Sequence, residues 1–371
     1  MGRGEPRTFG VEEEYLLLDS ATGLPSDRAA ELIRAVPQLA DRAEREFFSS
    51  QLETATPVCR DAEEAEAALV GFRSVVSRAA SGLGVVLAGS GVPPVGGDEA
   101  GTVTPKPRYR AIDAEIRGAA AKQYVTGTHV HVGIPSPDAG VEALARLARW
   151  APTLMAMTAN SPLWCGEPTG FASWRHIMNM SWPVAGYPAG FEDGDEYTAA
   201  VSQLIESGVL IDPGIVTWVA RLSQNFPTLE LRIADAQLEA ADAVGFAVLV
   251  RALVERALLE AEGGEVRPRY GAGLVNGAIW MAARNGVDSD LIDPLTGAAR
   301  PAFELIERMV RSVEPELRRF GDLARVERLV DRLRVDGDPA RRQLGRFREA
   351  GVPGLMALYR EGAEAGAPAG V

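Results

Sequence analysis

Four segments of this 371-residue chain set charged or imidazole side chains among apolar neighbours: Glu12 with Glu14, Glu53, His129 with His131, and Glu230 with Arg232. On an extended strand, residues i and i+2 face the same way, roughly 7 Å apart. If these strands neighbour one another, one sheet face collects four carboxylates and two imidazoles. Like charges that close raise one another's pKa and cost stability unless cations sit among them. Oxygen-rich clusters with an added imidazole suit hard ions such as Mg²⁺ or Mn²⁺. Each signal alone has an ordinary reading: a solvated glutamate face, two satisfied histidines, a cross-strand ion pair. Their joint occurrence on strand-like segments favours a site. His129, His131 and His176 are the only histidines, and Lys106 and Lys122 the only lysines, so imidazole or ammonium chemistry has few candidates.

The elements that must hold these residues follow from periodicity. Residues 8–18 read as a strand with Glu12 and Glu14 on one face and Val11, Glu13 and Tyr15 on the other. A turn over 19–25 and a short helix over 29–40 follow. Residues 45–56 read as a second strand, carrying Glu53 and ending at Pro57. Asp61, with Glu64 three residues on, caps a helix whose Leu69, Phe72, Val76 and Leu83 recur at helical spacing. Residues 84–90 form a buried strand, 91–107 a Gly/Pro-rich loop, 109–122 a helix and 125–134 the strand of both histidines. A helical stretch, 138–160, should break at Pro152. The Gly-, Pro- and Trp-rich segment 161–191 is long for a connection, which points to a functional loop or lid. A helix over 196–207 closes at Gly208, and strands over 215–222 and 228–234 follow, the second bearing Glu230 and Arg232. Everything after 236 reads helical, and 362–371 as a frayed tail. Strands early and helices late predict an α+β fold, an antiparallel sheet covered by helices, rather than alternating βαβ units. The expected organisation is one catalytic domain over 1–361, strand-rich over 8–235 and helical over 236–361.

Hydrophobic residues make up 46% of the chain and charged residues 24%, an ordinary globular composition. With 38 basic and 51 acidic residues the net charge is -13, which disfavours nucleic acid and anionic membranes as partners. Cys59 and Cys165 are the only cysteines, so no disulfide framework exists. Residues 1–9 contain no apolar signal stretch and no run of about 18 apolar residues occurs, so a cytoplasmic location is expected. Phosphate-binding G-x-x-x-x-G-K-[ST] and G-x-G-x-x-G motifs, C-x-x-C and G-x-S-x-G are missing.

Five motifs occur in order: Phe9-Gly10-Val11-Glu12-Glu13-Glu14-Tyr15, Gln51-Leu52-Glu53-Thr54-Ala55-Thr56-Pro57-Val58, Gly127-Thr128-His129-Val130-His131-Val132-Gly133, Asn160-Ser161-Pro162-Leu163-Trp164 and Phe226-Pro227-Thr228-Leu229-Glu230-Leu231-Arg232. Together they resemble the glutamate–cysteine ligase type 2 family, the YbdK-like carboxylate–amine ligases, and the helical region around Trp280, Arg284 and Gly286 is similar too. The resemblance implies a glutamine-synthetase-like sheet whose concave face holds metal-bound nucleotide, and ATP-dependent amide formation. It places Glu12, Glu14, Glu53, His129 and Glu230 at metal-ligand positions, and Arg232 beside the transferring phosphate. Glu12, His131 and Arg232 would face the nucleotide, with Glu53 and Arg232 the catalytic pair. ATP and Mg²⁺, with Mn²⁺ as the alternative ion, are the implied cofactors. The planar forks of Arg175 and Arg221 suit a substrate carboxylate.

Departures from the family pattern fall at the expected substrate end. Ser181 precedes Trp182-Pro183 where an arginine is frequent, Ile279 and Met281 replace polar or basic residues, and Val219 stands where an acid is common. The expected reaction joins a carboxylate to an amine through an acyl phosphate, with L-glutamate and L-cysteine, or a related pair from specialised metabolism, as substrates. A metal-dependent amide hydrolase and a catalytically silent nucleotide-binding relative are the other readings. Small-molecule substrates are the expected partners, and a homodimer is the assembly considered.

Overall fold

The computed structural model describes residues 6–367. Eleven strands occur among them: β1 (Phe9–Asp19), β2 (Glu44–Arg45), β3 (Gln51–Ala55), β4 (Val85–Ala88), β5 (Gly127–Gly133), β6 (Leu163–Trp164), β7 (Glu167–Pro168), β8 (Ala220–Leu222), β9 (Thr228–Asp235), β10 (Asp290–Asp293) and β11 (Ala298–Pro301). Seven form one sheet in the order β2-β3-β1-β5-β9-β8, with β4 paired to the C-terminal part of β1. Its pairings are antiparallel throughout, so the predicted α+β class with an antiparallel sheet holds.

The period of two along β1 decides what each face carries. Val11, Glu13, Tyr15 and Leu17 point to the helical side, where Arg73 of helix Ala62–Gly82 meets the buried Glu13 at 2.9 Å and the Tyr15 hydroxyl at 3.0 Å. A buried carboxylate needs such a partner, because desolvation otherwise disfavours its charge. Helix Ala240–Glu262, buried along most of its length, packs against β1 and β5 on this side. The register brings the polar residues of the other face into line. Glu14 lies opposite Glu53, Glu12 opposite His129, His131 opposite Glu230, and Glu230 opposite Arg221. A bulge between Thr128 and Val130 shifts the β5–β9 register at His129.

Several boundaries differ from the sequence reading. Residues 45–56 are not one strand: Phe47 and Phe48 are buried in a turn, and β2 folds back so that Glu44 faces Glu53. Of 215–222 only β8 pairs; Pro213–Ile215 is a short 3-10 turn whose Asp212 accepts a hydrogen bond from Gly214 N at 2.7 Å. The helical break falls before Pro152, giving helices Pro137–Leu147 and Ala151–Thr158 with Pro152 in the first turn of the second. Segment 161–191 contains the β6–β7 hairpin and helix Trp174–Asn179.

The region after 236 is not wholly helical, since β10 and β11 form a hairpin. Nor does the chain fray from 362: helix Pro339–Glu364 runs on, and Gly362 and Ala363 are buried. A Cβ at Gly362 would press on the Leu238 carbonyl, so its glycine identity reflects close packing, not looseness. Residues 1–5, and 368–371 of the expected tail, lie outside the described residues. Among those described, no helix is long and apolar enough to cross a membrane.

Candidate active site

The open face of the sheet lines a cleft of about 610 Å³ containing Glu12, Glu14, Glu53, His129, His131, Glu230, Arg221 and Arg232. Two groups of donor atoms lie within 4.8 Å of one another: Glu12, Glu53 and His129, and Glu12, His131 and Glu230. The sequence reading expected one set around Glu12, Glu14, Glu53, His129 and Glu230. The structure instead divides the donors into two triads joined by Glu12 and brings His131 into the second. Glu14 belongs to neither triad; it accepts a hydrogen bond from Gly127 N at 2.6 Å and lies 3.7 Å from His129 Nε2.

The electrostatics fit divalent cations. Burial pushes Glu14 up to about 7, with the charge of Glu46 adding to it. Burial likewise raises Glu53 well above the carboxylate range, reinforced by Glu46, Glu14 and Glu12. Burial also disfavours charge on Glu12 and Glu230, yet both are held well below the usual range, Glu12 by the two imidazoles and Glu230 by Arg232 and Arg221. Burial, then Arg232, lowers His129 to about 4, so its ring is neutral near pH 7 and can serve as a ligand. The buried Nε2 atoms of His129 and His131 have no proper hydrogen-bond partner among the described residues. His131 Nε2 sits 3.1 Å from Glu12 Oε1. Buried acceptors left unmatched beside crowded carboxylates are what a bound ion would complete. The mixed oxygen and imidazole donors suit Mg²⁺ or Mn²⁺.

The arginines divide by what already holds them. Arg221 meets Glu230 with two nitrogens, at 2.7 and 3.1 Å, and donates to the carbonyls of Gly214 and Val216. Arg232 pairs with Glu230 and lies 3.4 Å from His129 Nδ1. Arg175 is buried, donates to the Arg232 carbonyl through two long bonds of 3.3 Å, lies 3.9 Å from Asp235, and keeps Nε unpartnered among the described residues. Gly127 makes room for it, since a Cβ there would strike its guanidinium.

Asp235 anchors the surrounding loops. It accepts from Asn160 N at 2.8 Å, Ser161 Oγ at 2.6 Å and Ser173 Oγ at 2.8 Å, with Arg175 at 3.9 Å. This explains the Asn160-Ser161 motif: it ties 161–191 to the end of β9.

A smaller annex of about 140 Å³ opens beside the cleft, walled by Phe47, Ile112, Val125, Trp182, Ile215 and Val219. Cleft and annex share Glu14, Glu46, Arg108, Tyr109, Gly214 and Arg232. Sequence reasoning missed Glu46, Arg108 and Tyr109. The signal was present for the first, because Glu44 and Glu46 repeat the spacing of two on a strand edge. Arg108 bridges to Asp212 at the cleft rim with bonds of 2.9 and 3.0 Å. Gln123, which donates to Ser181 and accepts from Trp182 Nε1, secures the departing Ser181-Trp182 segment against the annex.

Known proteins resemble this chain over most of its length. The model of glutamate–cysteine ligase family 2 (GCS2) matches residues 8–361. A protein of Salinispora tropica, provisionally named glutamate–cysteine ligase 2, is 40% identical over 337 residues, which cover 91% of this chain and 89% of that one. One from Saccharopolyspora erythraea, provisionally named glutamate–cysteine ligase 2-1, is 40% identical over 343 residues, 92% of this chain and 90% of that one. Among solved structures, a glutamate–cysteine ligase of Francisella tularensis in complex with AMP superposes with a TM-score of 0.72 at 11% identity, covering 98% of this chain and 90% of that one. A bifunctional glutathione synthetase of Pasteurella multocida gives 0.69 at 15% identity, over 96% of this chain and 52% of that one.

Proposed function

The chain belongs to glutamate–cysteine ligase family 2, and on that premise we propose that it joins a carboxylate to an amine through an acyl phosphate, with L-glutamate and L-cysteine as the reference pair. It is in the first place an ATP-dependent carbon–nitrogen ligase, as its family is. Residues 8–361, the span of the family match, are taken as one catalytic unit.

A free carboxylate is a poor electrophile because its charge repels an incoming amine. Transfer of the ATP γ-phosphoryl group to a carboxylate oxygen breaks the bond to ADP and gives an acyl phosphate. The amine nitrogen then bonds to the carbonyl carbon, phosphate leaves with one former carboxylate oxygen, and the nitrogen loses a proton. Such transfers rest on positioning and charge neutralisation.

The observation that carries this reading is the pair of triads sharing Glu12, with Arg232 on the same face. Glu12, Glu53, His129, His131 and Glu230 would hold Mg²⁺, or Mn²⁺, with Glu14 beside them. Bound there, the ions would supply neutralisation of phosphate charge. Arg232 would stabilise charge on the transferring phosphoryl, and Glu53 stands at its side of the cleft. Arg175 is a stronger candidate for a substrate carboxylate than Arg221, because Arg221 is committed to Glu230 and to carbonyls while Arg175 has a spare nitrogen.

The test is a screen for ADP release with carboxylates and amines varied independently, followed by ¹⁸O-labelled carboxylate. Label should appear in the released phosphate. Release of AMP and pyrophosphate would show adenylation and end the acyl-phosphate reading.

A further inference from the structure

The border between cleft and annex carries charges that are almost all committed. Arg108 is bound to Asp212 by two hydrogen bonds, Arg232 to Glu230, and Glu14 to Gly127 N. Glu46 differs. It forms no ion pair among the described residues, and its side chain accepts one hydrogen bond, from the Tyr109 hydroxyl at 2.7 Å. It belongs to neither donor triad. It nevertheless lines both cavities. A half-buried carboxylate with a single neutral partner, placed where two chambers meet, is matched by a ligand cation.

We propose that Glu46, oriented by Tyr109, receives the ammonium group of the amine substrate at this border. The apolar group of that amine enters the annex between Phe47, Ile112, Val125 and Val219. This rests on the ligase reading and assigns the place of its second substrate. An amine is an ammonium in neutral water, and held at the border it stands next to the sheet face where the carboxylate would be activated; it gives up one proton to solvent before its nitrogen attacks. Buried Arg175 lines the same annex with Nε unpartnered among the described residues, an acceptor-seeking group. The annex volume admits a compact side chain and excludes a large one.

Tyr109 acts through Glu46, so its role is positioning. It packs edge-on against Phe47 at a centroid distance of 5.7 Å, which fixes the hydroxyl.

The experiment measures ADP release by the full-length protein as a function of amine, carboxylate and ATP in turn, for wild type, Glu46→Gln, Glu46→Asp and Tyr109→Phe. Glu46→Gln should raise KM for the amine at least about tenfold while KM for carboxylate and for ATP stay within about twofold. Glu46→Asp should recover part of that loss, and Tyr109→Phe should shift the amine KM in the same direction by less. Equal shifts for all three substrates, or an unchanged amine KM, would overturn the assignment. If Glu46→Gln does not fold, Tyr109→Phe alone decides, because it removes one hydroxyl and leaves the ring packing. Absence of ADP release by wild type with every pair tried would instead count against the ligase reading itself.

Discussion

Arg232 and Glu53 stand a few ångströms from the same donor atoms, yet the fold relates to them in opposite ways. Arg232 relieves the site: it pairs with Glu230 and offsets the surrounding carboxylates. Replacing it by lysine keeps the charge but loses the planar fork. We expect Arg232→Lys to lower kcat by at least about tenfold with the melting temperature little changed, since the role lies in the transition state. If kcat survives and only thermal stability falls, Arg232 is a structural ion-pair partner. Glu53 burdens the site: it is half-buried beside Glu12, Glu14 and Glu46 and makes no hydrogen bond or ion pair among the described residues. Glu53→Gln should therefore leave the metal-free protein as stable as wild type or more so, while reducing ADP release at least about tenfold. Added Mg²⁺ should raise the melting temperature of wild type more than that of the variant, because a ligand stabilises only the state that binds it. A variant that melts earlier without Mg²⁺ and responds to it as wild type does would contradict both statements.

The strands that deliver these residues were legible where alternation is set against an apolar back. β1 shows this: Val11, Tyr15 and Leu17 mark the buried side, and Glu12 and Glu14 take the other. The hairpin of β2 and β3 was not legible, and Glu46 was lost with it. Its turn contains Phe47, Phe48, Ser49 and Ser50 rather than glycine or asparagine. It is held by the bond from Ser49 N to the distant Thr102 carbonyl at 2.8 Å and, within the turn, by Phe48 N to Gln51 Oε1 at 2.9 Å, neither of which the usual turn residues announce. The β10–β11 hairpin, by contrast, had its cue in Asp293-Pro294 and in Gly297, whose φ of +69° favours glycine. Grouping of the candidate donors into two triads was beyond alternation alone, and His129 sits at a bulge that alternation does not announce. Asp235 is the element-level test of how the loops are held. Asp235→Ala strands Asn160 N, two serine hydroxyls and the buried Arg175 together, which should cost roughly 3–5 kcal/mol. Chemical denaturation would read this, and a loss under about 1 kcal/mol would show that 161–191 is anchored elsewhere.

Across the whole molecule, an excess of acid is balanced locally by arginine, and several carboxyls, Asp242 and Asp338 among them, resist that balance. Asp242 and Asp338 are each pushed up to about 6, both chiefly by burial. Asp338 joins distant parts of the helical half: it accepts from Arg341 N at 2.8 Å, at the start of helix Pro339–Glu364, and from Val287 N at 3.1 Å, just beyond helix Ala272–Asn285. Its ordinary value is 3.8, so the folded protein holds the proton more tightly than the unfolded chain. The stability it contributes is therefore fully present below the unfolded value and is lost as pH rises through about 6. Asp338→Asn removes this titration and keeps one acceptor oxygen for the helix start. The loss of the second acceptor lowers stability by an amount independent of pH. The difference in unfolding free energy, wild type minus variant, should thus fall by about 1 kcal/mol between pH 5 and pH 7. Urea unfolding of both proteins at these two pH values measures it. A difference that stays flat, or rises with pH, would mean that Asp338 is ionised in the fold throughout this range and that its two backbone donors outweigh its burial.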